Sequence, residues 1–74
     1  MLVKIVSSTN PKIHKYIGET RRYFQQFGRA CLEKLDQPGW GISTSKILDE
    51  KIEGNIIKIK TKNSEYVLEK IEEE

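Results

Sequence analysis

Seventy-four residues leave room for one hydrophobic core, so residues 1–74 read as a single domain. One cysteine excludes a disulfide framework and favours a reducing, cytoplasmic setting. No apolar run approaches the roughly 20 residues that a membrane span needs, and Lys4 interrupts the first residues too early for a signal peptide. The net charge of +2 hides a polarity along the chain. Residues 1–35 hold seven basic and two acidic side chains, net +5; residues 36–74 hold six and nine, net −3. Such asymmetry can mark a basic binding face. The last three glutamates, residues 72–74, read as a frayed acidic tail.

In chain order, residues 2–8 alternate as a short first strand, with Val3 and Ile5 on one face and Leu2, Lys4 and Val6 on the other. Thr9, Asn10 and Pro11 break it. Asn10 suits a cap and Pro11 the first position of a helical turn. Residues 20–35 admit two readings. As a helix, Phe24, Phe27, Cys31 and Leu35 share a face, with Thr20 as cap and residues 36–39 as the stop. Against the helix stand Gly28 in its middle, at about 1 kcal/mol relative to Ala, and Arg21 and Arg22 at the positive end of its dipole. As strands, residues 20–27 and 29–35 meet near Gly28. Residues 42–49 form a third extended stretch, closed by residues 50–54 with Gly54 free to take positive φ. Residues 55–71 form a hairpin whose turn at Lys62 and Asn63 pairs Lys60 with Glu65, Ile59 with Tyr66 and Ile57 with Leu68. That places Ile57, Ile59, Tyr66 and Leu68 on the buried face; a turn moved by one residue to Asn63 and Ser64 shifts the pairing by two positions and keeps the same faces, so the faces are fixed more firmly than the register. Lys58, Lys60 and Lys62 form a comb opposite, beside Glu65 and Glu69.

Trp40-Gly-Ile-Ser-Thr-Ser-Lys-Ile47, Gly54-Asn-Ile-Ile-Lys-Ile-Lys-Thr61 and Asn63-Ser-Glu-Tyr-Val-Leu-Glu69 together resemble a pattern of short, uncharacterised phage and bacterial proteins. The pattern runs Thr-Ser-x-aliphatic, a Gly-containing turn, then Thr-x-Asn-Ser-x-Tyr. Tyr16-Ile-Gly-Glu19 and Gly28-Arg-Ala30 are loosely similar to the opening of SH3-like barrels. The resemblance implies a small all-β domain, often carried by a mobile element, with no assigned activity. It tips residues 20–35 toward strands. The fold expected is therefore an all-β, SH3-like barrel of about five strands. The alternative is α+β, with one helix over about residues 20–35 on a four-stranded antiparallel sheet.

Chemistry-bearing residues are sparse. His14 and Cys31 have no partner at metal-ligand spacing, so no metal or other cofactor is expected. His14 reads as a solvated loop residue and Cys31 as a small buried hydrophobe. Asp36, Asp49, Glu50 and Glu53 fall in or beside turns, where nothing raises a carboxyl pKa for acid–base work. Gly39 and Gly41 lack the Lys and helix start of a phosphate loop. No catalytic residue is expected. Trp40 has two readings: a plug for one end of the barrel, or an exposed binding anchor. As an anchor, with Ile42 beside it, it makes the domain a non-catalytic protein-binding module. The phage-type resemblance implies a modulator of a host protein. The alternative is a nucleic-acid-binding face in residues 12–29, in which Lys15, Arg21, Arg22 and Arg29 meet phosphates and Tyr23 stacks on bases. Phe24 and Phe27 are read as core. A monomer or weak homodimer satisfies either reading.

Overall fold

The computed structural model describes residues 1–71, so the acidic tail at 72–74 lies outside the described residues. Six antiparallel strands close into a barrel in simple sequence order: β1 (Leu2–Ser8), β2 (Thr20–Gln26), β3 (Arg29–Glu33), β4 (Gly41–Glu53), β5 (Ile56–Thr61) and β6 (Glu65–Lys70). A short 3-10 helix, Pro11–Tyr16, bridges β1 and β2, with the Asn10 side chain accepting from the Lys12 amide and Pro11 opening the helix. The small all-β barrel is thus present, and the alternative helix over residues 20–35 is absent: two strands meet at Gly28 instead. No helix among the described residues is long and apolar enough to cross a membrane.

The strand reading of residues 20–35 wins because of the turn. Phe27 and Gly28 both take positive φ, +54° and +73°, as a two-residue hairpin loop with the twist of its flanking strands requires. Gly54, at φ +59° between the paired Glu53 and Ile56, turns β4 into β5. The turn from β5 to β6 is held by Thr61, whose hydroxyl donates to the Ser64 carbonyl and accepts from the Ser64 amide. Asn63 instead donates its side-chain amide to the Ser45 hydroxyl at 2.6 Å.

The hairpin register is the expected one: Lys60 opposite Glu65, Ile59 opposite Tyr66, Ile57 opposite Leu68. Its four apolar residues join Val3, Ile5, Ile13, Tyr23, Ala30 and Leu32 in the core. Each aliphatic side chain so buried contributes about 1.5–3 kcal/mol. The lysine comb is mixed in a different way from that expected. Lys60 lies between Asp49 and Glu65, but Lys58 lies between Lys51 and Val67, and Glu69 sits opposite Ile56.

β4 departs most from expectation. Residues 50–53, read as a closing turn, continue the strand to thirteen residues. Its first part pairs with β3 and its second with β5, with a register shift between Ile47 and Asp49. A bulge of this kind bends a strand sharply, which lets one strand serve both sides of a small barrel.

Candidate interaction face on β2, β3 and β4

Alternation along β2 splits the basic run between two environments. Arg22 and Phe24 point outward, whereas Arg21 and Tyr23 are buried at 1% and 7% exposure. Arg21 donates to the Leu32 carbonyl at 3.3 Å and to the Glu19 carboxylate at 3.0 Å, and its guanidinium lies 4.8 Å from the Tyr16 ring centre. Its Nε has no hydrogen-bond partner. Tyr23 donates its hydroxyl to Glu50 at 2.7 Å, and the Gln25 side-chain amide donates to both. Burial pushes the Tyr23 phenol up to about 12. Gln25 pulls the other way, and the Glu50 carboxylate adds to the rise. Lys15 sits on the 3-10 helix with its ammonium 5.2 Å from the Tyr16 ring centre. A continuous row of Arg21, Arg22 and Arg29 is therefore not present on one surface.

What the outer face does assemble is aromatic. Across β2, β3 and β4 the register sets Phe24, Cys31 and Ser43 in one row. Arg22, Glu33 and Gly41 form the row on one side of it, and Gln26, Arg29 and Lys46 that on the other. A groove of about 280 Å3 runs over this face, lined among others by Phe24, Cys31, Ser43, Gly39 and Trp40. Trp40 is 72% exposed. The plug reading of this residue is thereby replaced by the exposed one. Ile42 pairs with Leu32, is half-buried, and packs against the core beneath the groove.

The loop that carries Trp40 is pinned to the sheet. Glu33 accepts from the Gly39 amide at 3.1 Å through one carboxylate oxygen and meets Arg22 at 3.4 Å through the other. The Trp40 amide donates to the Gln37 carbonyl, and its own carbonyl accepts from the Lys34 amide. Gly41 then enters β4 so close to β3 that a Cβ would land on the Leu32 carbonyl oxygen and 2.8 Å from Glu33 Cα. The backbone that carries the indole is thus tied to β3 at the Glu33 end of the groove.

Three residues taken from the sequence as core are on this surface. Phe24 is 38% exposed, and Phe27 is 90% exposed at the β2–β3 turn. Cys31 is half-buried on the outward side of β3, its sulfur 4.0 Å from the Ser43 hydroxyl. The helix reading had grouped all three. Strand alternation counted from Arg21 instead turns residues 22, 24 and 26 outward, with Cys31 beside Phe24 on the same outer face. His14 is exposed, its Nε2 2.8 Å from the Ser8 carbonyl oxygen. No group of three His, Cys, Asp or Glu side chains among the described residues is placed to hold a metal ion. No family model, curated protein or solved structure matches the chain.

Proposed function

We propose that the protein is a small non-catalytic protein-binding module whose contact surface is the outer face of β2, β3 and β4. The observation that carries this reading is Trp40. A large indole, 72% exposed, stands on a pinned loop at the end of a groove shared with Phe24. Exposing so much apolar surface brings no folding gain, whereas Trp and Arg held rigidly at a surface supply binding energy with little loss of conformational freedom. The phage-type resemblance extends the proposal to a modulator of a host protein.

The test is chemical cross-linking in host lysate, compared between the wild-type chain and Trp40→Ala. The expected result is a stoichiometric protein adduct that Trp40→Ala loses while its melting temperature stays within a degree or two of wild type. A set of adducts identical in the two proteins would refute the assignment. The alternative of nucleic-acid binding through residues 12–29 is less well supported, because Arg21 and Tyr23 point into the barrel and Arg22 is paired with Glu33.

A further inference from the structure

Charge is distributed unevenly along the groove. At one end the carboxylate of Glu33 is engaged by Arg22 and by the Gly39 amide. The other end is lined by Gln26, and just outside the groove, in the same cross-strand row, Arg29 and Lys46 face each other across β3 and β4, about 7 Å along β3 from Cys31. Neither has a carboxylate within ion-pair distance among the described residues. The Lys46 stem packs near Gly28, 3.7 Å from where a Cβ would sit, which holds its ammonium beside the exposed Phe27 turn. Between the two ends, the small side chains of Cys31 and Ser43 leave a depression next to Phe24 and Trp40.

Resting on the protein-binding reading, we infer that the groove takes an acidic peptide segment of the partner. A large aliphatic or aromatic side chain of that segment sits over Cys31 and Ser43. One or more Asp or Glu residues on one side of this anchor meet Arg29 and Lys46. Charge complementarity selects the occupant: beyond one end stand two cations with no carboxylate partner among the described residues, and at the other a neutralised carboxylate offers a second anion nothing. The same pattern disfavours a nucleic-acid strand. A polynucleotide presents a phosphate at every step and is held by a basic groove that tracks its backbone. Here Glu33 interrupts such a track, and the free cations form a single cluster.

Trp40 is the sole tryptophan of the chain, so its fluorescence reports directly on the groove. The probes are synthetic decapeptides with a central Leu, Ile, Phe or Trp, flanked on one side by three Asp or Glu, three Lys or three Ser, together with an oligo(dT) strand. Trp-containing peptides are read by anisotropy of an attached dye. The expected result is that the acidic peptides bind about tenfold or more tightly than their lysine counterparts, and that R29E/K46E abolishes or reverses the preference. Oligo(dT) is expected to leave the Trp40 emission unchanged. Equal affinity for all flanks, or a preference that survives R29E/K46E, would overturn the inference and leave the protein-binding reading standing. Failure of every peptide to bind would also overturn it, and the Trp40→Ala cross-linking comparison would then judge that reading separately. Binding of oligo(dT) that weakens steeply with salt and is lost in Trp40→Ala would overturn both.

Discussion

The buried Arg21 provides the sharpest test of the physical reasoning, through two substitutions of opposite sign. Its guanidinium is almost fully enclosed, with one ion pair to Glu19, one carbonyl contact, a ring face and a stranded Nε–H. Glu19→Gln keeps the shape and an acceptor oxygen but removes the compensating charge. Leaving a fully buried charge unpaired costs about 3–5 kcal/mol, whereas an exposed pair is worth less than about 1. The Glu19 side chain is 46% exposed, so solvent shares the compensation and a loss of about 1–2 kcal/mol is expected. Arg21→Met keeps the apolar stem and removes both the desolvated charge and the unsatisfied donor. Buried ion pairs replaced by apolar groups of similar volume give changes from neutral to a gain of a few kcal/mol, so a change between zero and about +2 kcal/mol is expected. A domain of this size has a total stability of about 4–11 kcal/mol, and urea unfolding resolves such shifts as midpoint changes of about 1 M. The double variant E19Q/R21M should recover what Glu19→Gln loses. An Arg21→Met variant less stable than Glu19→Gln, or a double variant no better than Glu19→Gln alone, would show instead that the buried guanidinium is a net stabilising group.

Three further outcomes are expected. Tyr23 has a folded pKa of about 12 against an ordinary value of 10, so the folded state holds its proton more tightly. The resulting stabilisation is fully present below pH 10 and is lost as pH rises through 12. Because Glu50 and Gln25 are exposed, about 1–2 kcal/mol is involved, and Tyr23→Phe should flatten that part of the stability–pH curve. Phe27 takes left-handed geometry with its ring in solvent, so Phe27→Asn should raise stability by about 1 kcal/mol in thermal unfolding. A Cβ at Gly41 meets backbone that cannot yield, so Gly41→Ala should lower stability by about 2 kcal/mol or more, while Gly39→Ala, whose Cβ enters open space, pays only for its φ of +87°.

The hairpin over residues 55–71 was legible in its buried face, because Ile57, Ile59, Tyr66 and Leu68 alternate without interruption, whereas turns at Lys62-Asn63 and at Asn63-Ser64 both fit that pattern and the structure takes the register of the first. The Asn10–Pro11 start of the 3-10 helix was legible for the same local reason. Residues 20–35 were not, since Phe24, Phe27, Cys31 and Leu35 satisfy a helical period as well as they satisfy any strand. The deciding fact, positive φ at both Phe27 and Gly28, carries a sequence signal at the glycine only. The candidate site followed from this ambiguity. Trp40 stood out by residue type, but its partners Phe24, Cys31 and Lys46 are brought together by cross-strand register rather than by proximity in sequence. The length of β4 escaped notice because its bulge breaks the period-two pattern where the charged residues 49–51 begin.

The ring closes where β6 meets β1, with Val3 opposite Lys70 and the Ile71 amide donating to the Leu2 carbonyl. Every other strand pairing joins neighbours in sequence, so each can form as a local hairpin at small loop-closure cost. The seam alone draws together the two ends of the chain. With the largest loop-closure cost of the six pairings, it is expected to be the slowest of them to form. Until it forms, both β1 and β6 present unpaired edges. Substitutions at Ile5 and Leu68, which pair across the seam, should therefore report on whether the seam has formed in the transition state, while those within a β2–β3 hairpin formed beforehand should act mainly on the folding rate.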